Sequence, residues 1–198
     1  MDTYLLFFEN INKFIEINFF YSLLFFSLYI FFYSAFSLPG LIIFIVFVGY
    51  SLGVFWGFLI SIIFSTLGSF CFFIISKHIL NKFFFKIFSK YTNKIDFYIK
   101  KSTFEYLVIF RIIPGPPLML QNFFFSTLKI SNYKFIFSTL IGFFPLMLFC
   151  VLLGNKINDL KVITNITFIE VFTWDLILII FIFFIILFVR ILFKNKSV

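Results

Sequence analysis

Ile17-NFFYSLLFFSLYIFFYSAFSLPGLIIFIVFVGYSLGVFWGFLISIIFSTLGSFCFFII-Ser76 is a run of 60 residues without one charged side chain. A helix needs roughly 20 apolar residues to cross a hydrocarbon core, so this stretch alone holds about three crossings' worth. Around it, the chain of 198 residues is 63% hydrophobic and only 12% charged. Soluble domains carry about 25% charged residues, and a soluble globule of this length has no interior large enough for so many big apolar side chains. The composition therefore predicts an all-α integral membrane protein, a polytopic helical bundle forming a single membrane domain over 1–198.

Charge placement and breaks divide that domain. Lys77, Lys82, Lys86, Lys90, Lys94, Lys100 and Lys101 fall in one interval, 77–101, and Arg190, Lys194 and Lys196 close the chain. The positive-inside rule puts both on the cytoplasmic face, in a multi-pass cell-membrane protein with cytoplasmic N- and C-termini. Lys82, Lys86, Lys90 and Lys94 recur every four residues, a stripe that on a helix would lie against an anionic leaflet; the plainer reading is a topology signal. Asp2 and Glu9 stand where a cleavable signal would be basic, so the first span is expected to be retained.

Tyr133–Leu153 and Trp174–Leu192 read as single crossings (133–153 and 174–192), with a polar outer loop, 154–173, between them. Phe104–Leu128 does not. It contains Glu105 and Arg111, then Pro114, Gly115, Pro116 and Pro117, which remove three backbone donors and break any helix through them. Two apolar pieces remain, each about half a bilayer long, and irregular backbone at membrane depth is tolerated only inside protein or beside a watery cavity. The economical reading is a re-entrant hairpin over 104–128.

The uncharged run takes the same template: a first span, 18–37, a break at Pro39 and Gly40, a re-entrant hairpin over 38–57, and a second span, 58–76. Gly49, Gly53 and Gly57 leave a strip without side chains, along which another helix can approach. The alternative, three full spans in 60 residues, leaves almost no connecting residues and inverts the N-terminus relative to the basic interval. The expected architecture is two oppositely oriented re-entrant hairpins, an inverted repeat, and paired interrupted segments point to a transporter-type site near the midplane.

Arg111 is the most informative residue. Arginine keeps its proton and is expensive at membrane depth, so it needs a partner there. Its fork suits a phosphate or carboxylate, and the N-terminus of a half-helix starting near Leu118 would aim amides at the same place. Pro114, Gly115, Pro117 and Asn122 complete the expected binding set, with Gln121 beside them. The competing reading has Arg111 snorkelling to the surface or pairing with Glu105.

Catalysis is not expected. A lone His78, no acid between Glu16 and Asp96, and no phosphate-cradling loop leave no metal site, no nucleophile dyad and no carboxylate pair. Cys71 and Cys150, within apolar runs, read as small hydrophobes. The 40 phenylalanines, with abundant Ile, Asn and Lys, share AT-rich codons and read mostly as composition.

Arg111-Ile-Ile-Pro114-Gly-Pro-Pro117-Leu-Met-Leu-Gln-Asn122, then Lys129-Ile-Ser131 and Thr139-Leu-Ile-Gly142-Phe-Phe-Pro145, closing at Gly154, resembles the DedA and VTT-domain superfamily, the bacterial relatives of SNARE-associated Golgi proteins. Pro39, Gly49, Gly53 and Gly68 look like its first half, and the resemblance covers roughly 35–155. It implies a membrane protein associated with scrambling or flipping of phospholipid or polyisoprenyl-phosphate carriers. Ser126 stands where relatives often have Gly, and the first hairpin lacks an acid carried by proton-coupled relatives, so phosphate handling carries over better than proton coupling.

The expected function is a DedA-like lipid translocase or scramblase of the cytoplasmic membrane. Arg111 engages the phosphate, and Pro39, Gly49, Gly53, Gly57, Gly142 and Pro145 serve hairpin and packing roles. Its partners are membrane lipids with anionic phosphate headgroups, not nucleic acid; no cofactor is expected, and a homo-oligomer is compatible with the sequence. The rivals are a secondary carrier of a small anion and a non-transporting membrane-homeostasis scaffold.

Overall fold

A computed structural model describes residues 13–80, 104–112, 117–128 and 130–160, and its regular structure there is entirely helical. In chain order, α1 is Phe19–Ala35, α2 is Leu41–Ile75 with a π turn Ser76–Leu80 after it, α3 is Phe104–Ile112, α4 is Leu118–Thr127 and α5 is Asn132–Leu160. The lysine stripe of 82–94, Pro114, Gly115 and the last span, 174–192, fall outside the described residues.

Apolar sequence makes helices here, and glycine decides how they fold up. Gly53 interrupts α2 with φ 73° and ψ −178°, a backbone region essentially closed to residues with a Cβ. The chain reverses there. Eight residues of helix cover about 12 Å, yet a Cβ built on Gly57 would sit 3.2 Å from the Cα of Gly49. The two limbs of α2 are therefore folded against each other, an incoming limb from Leu41 to Leu52 and an outgoing limb from Val54 to Ile75. At 1.5 Å per residue they are about 18 and 33 Å long.

The direction of the outgoing limb follows from its neighbours. The Phe19 ring lies 6.0 Å from Trp56 at one end, and at the other Gly68 packs onto the backbone of Phe31 and Ala35. So α1 and the outgoing limb are parallel. α5 runs the opposite way: Phe58 meets Phe144 at 5.1 Å and Phe73 stacks on Phe135 at 4.3 Å. α3 and α4 fold back on one another, with Phe110 and Phe124 centroids 5.0 Å apart.

Three expectations need correction. The expected boundary at Gly57 and Phe58 is not a break; Gly57 stays helical and spends its missing side chain on packing, so hairpin and second span merge into one outgoing limb. Being parallel to α1, that limb ends at the opposite end of the bundle from the start of α1, which does not fit a first and a second span of opposite direction. A single glycine suffices to connect limbs for which the sequence seemed to leave no room. Finally, α5 continues past Leu153 to Leu160 and through Pro145. The polar residues after Leu153 extend the helix, because Gly154 is there for contact and not for a turn.

That contact is severe. A Cβ on Gly154 would lie 1.9 Å from the carbonyl oxygen of Val46, and one on Gly49 would lie 2.4 Å from that of Val151. Backbone meets backbone, so no rotamer change relieves an added methyl. Gly154→Ala is expected to destabilise the bundle by about 1–3 kcal/mol, read as a lower unfolding midpoint in detergent.

Candidate functional site

Arg111 sits in the last turn of α3 with 2% of its surface exposed. It does not snorkel. Gly142 on α5 makes the space for its stem, since a Cβ there would fall 2.3 Å from the Arg111 Cβ. The guanidinium carbon then lies 4.5 Å from the Phe125 ring centroid and 5.1 Å from those of Phe135 and Phe143. Each such face can stabilise a desolvated cation by about 2 kcal/mol or more.

The fork is held by two amides at the start of α4. Arg111 Nη2 donates to Asn122 Oδ1 at 2.6 Å, and Nη1 donates to Gln121 Oε1 at 3.4 Å. Pro117 starts α4, and its carbonyl accepts from the Gln121 amide at 3.1 Å, fixing the turn that presents both side chains. Asn122, fully buried, in turn donates through Nδ2 to Ser37 Oγ at 2.9 Å.

Ser37 is unusual. It takes φ 50°, a left-handed conformation rare for a residue with a Cβ. Its amide donates to Ser34 O and that of Leu38 to Tyr33 O, closing α1 with the paired capping bonds that normally have glycine at this position. The hydroxyl explains serine here: it donates to Ser34 O at 3.2 Å while accepting from Asn122. The turn between α1 and α2, held also by Tyr33 Oη donating to the Pro39 carbonyl, is thereby tied to the arginine site.

The electrostatics are unbalanced. Among the described residues the hydrogen bonds of Arg111 go to neutral amides, and its buried Nε has no partner. Moving a cation out of water costs several kcal/mol even after relaxation. Amide bonds and ring faces offset part of that while leaving the formal charge intact. A carboxylate or phosphate oxygen is the chemistry that would neutralise it.

Of the expected set, the structure brings Arg111, Gln121 and Asn122 together and places Pro117 as the cap of α4. Gly142 belongs to the site; Gly49 and Gly57 pack the limbs, Gly53 reverses them and Pro145 is inside α5. Ser37 and the cage of Phe125, Phe135 and Phe143 were not anticipated. Phe135, Gly142 and Phe143 share one face of α5 by helical spacing, a signal that compositional bias masks.

Two helices long and apolar enough to cross a membrane, Leu41–His78 and Asn132–Asn158, around a buried arginine, with only helix as regular structure among the described residues, are the features of a helical membrane protein. A family model, the VTT domain, matches residues 38–156 and so spans both broken segments and α5. The chain belongs to the VTT-domain family, that of the DedA and SNARE-associated proteins. Comparison with curated proteins and with solved structures finds no match.

Proposed function

We propose that this chain is a DedA-like translocase or scramblase of the cytoplasmic membrane, moving phospholipid or polyisoprenyl-phosphate lipids by engaging the headgroup phosphate with Arg111. The observation that carries the reading is a buried guanidinium that, among the described residues, meets no carboxylate and leaves its Nε–H unused, set between the α3–α4 hairpin and the turn at Ser37. In this reading the α3–α4 hairpin is re-entrant with its tip at the site, and acyl chains stay in lipid while the headgroup crosses. The protein acts as a passage, not as an enzyme. Arg111 and Asn122 are buried, so loading the site requires the hairpin arms to part.

A secondary carrier of a small anion would use the same guanidinium and is the second reading. Purified protein in vesicles separates them: fluorescent phospholipid reaching the opposite leaflet supports lipid movement, while uptake of soluble phosphate without it supports the carrier. Neither flux would leave a scaffold and overturn both.

The parallel course of α1 and the outgoing limb gives a topology test. With the basic interval cytoplasmic by the positive-inside rule, cysteines placed at Lys13 and at Lys77 in a variant lacking Cys71 and Cys150 should label from opposite faces. Labelling from one face would contradict the parallel arrangement in the membrane.

A further inference from the structure

Serine and threonine inside apolar helices usually return their hydroxyl to a carbonyl of the preceding turn, and several here do so. Ser138 donates to Phe135 O, Ser126 to Phe123 O and Thr127 to Phe124 O. Thr139 and Ser69 do not: both are completely buried, and neither hydroxyl has a partner.

Their positions converge. Phe73 stacks on Phe135 between antiparallel helices. Ser69 precedes Phe73 by four residues and Thr139 follows Phe135 by four, so one turn further along the same faces they stand opposite each other. Thr139 also lies between Phe135, Gly142 and Phe143, the residues of α5 that touch Arg111. By this spacing both unused hydroxyls fall on the helix faces that carry Phe135, beside which the Arg111 Nε–H is also unused.

We infer that Thr139 and Ser69 are further ligand-binding residues, their hydroxyls donating, alongside Arg111 Nε–H, to the oxygens of a phosphate ester or free phosphate. Arg111, Thr139 and Ser69 present only donors to such an oxyanion, from α3, α5 and the outgoing limb. This rests on the reading that Arg111 engages phosphate, and adds the residues that would complete its coordination.

The test uses the full chain in vesicles, with fluorescent phosphatidylglycerol in one arm and radioactive inorganic phosphate in the other, so that lipid and free phosphate are told apart. Thr139→Val keeps the shape and removes the hydroxyl; Ser69→Ala does the same on the facing helix. Each should lower flux of the transported phosphate species at least about tenfold while the unfolding midpoint holds or rises, because a buried hydroxyl without a partner destabilises the fold. Thr139→Ser should stay within about twofold of wild type, as should Ser61→Ala, whose equally unpartnered hydroxyl lies about 12 Å along the limb from Ser69. Wild-type flux in both Thr139→Val and Ser69→Ala overturns the inference, and if Arg111→Gln is inactive at the same time the arginine reading survives it. A flux loss matched by an equal loss of folded protein assigns the hydroxyls to packing and also overturns it. Absence of both fluxes in wild-type protein removes the arginine reading and this one together.

Discussion

Arg111→Lys should lower phospholipid flux at least about tenfold in vesicles holding equal amounts of folded protein, and Arg111→Gln should abolish it. Lysine keeps the charge but replaces a planar fork with one nitrogen. It cannot reach Gln121 and Asn122 in the same bidentate manner, nor lie flat among three rings, and it is more strongly hydrated than guanidinium. Tenfold corresponds to about 1.4 kcal/mol, roughly one charge-assisted hydrogen bond. A role confined to packing predicts instead that Lys and Gln variants lose folded protein and keep their flux per folded molecule. With the arginine 2% exposed, both variants must be checked for the unfolding midpoint before flux is compared.

The second large effect is expected at Gly53. Among the described residues its missing Cβ would meet only Asn155 Oδ1, at 3.7 Å, an ordinary van der Waals contact, so space is not the constraint there. Conformation is. With φ 73° and ψ −178°, Gly53→Ala places a methyl in a backbone region that costs of order 1–3 kcal/mol. Resisting that cost by straightening α2 would pull Gly49 and Gly57 apart and lift Val151 off both. The unfolding midpoint should fall by several degrees, with lipid flux falling alongside because the limbs position the turn at Ser37. An unchanged midpoint would show that the reversal at Gly53 is not what holds the limbs together. Gly154→Ala fails by the other mechanism, a collision of a new methyl with the Val46 carbonyl, so a larger residue there should be worse in proportion to its size. At Gly53, any L-residue should cost about the same.

The membrane class was legible in the 60-residue uncharged run and the broken hairpin in Pro114 to Pro117, because both are local: hydropathy and missing donors act within a few residues. Arg111 was legible for the same reason, as a charge among apolar neighbours, and Asn122 by its place just beyond the break. The exact reversal was not. Gly49, Gly53 and Gly57 are identical letters at equal spacing, and only tertiary packing decides that the middle one turns while the outer two approach other backbones. Ser37 was hidden by the same ambiguity, since a serine in a left-handed cap is favoured only when a partner such as Asn122, 85 residues away, uses its hydroxyl. The direction of the outgoing limb was misread because the connection was assumed to need several residues, whereas one glycine suffices.

The most direct measurement is ligand-induced stabilisation of the purified protein, since a ligand that binds only the folded state raises its stability with concentration. Short-chain phosphatidylglycerol should raise the unfolding midpoint of the wild-type protein in a dose-dependent way, a short-chain diacylglycerol lacking the phosphate should not, and Arg111→Gln should lose the phosphatidylglycerol response while folding normally. Equal stabilisation of wild type and Arg111→Gln by the phospholipid, or equal stabilisation of wild type by both lipids, would contradict the claim that the buried guanidinium holds a lipid phosphate.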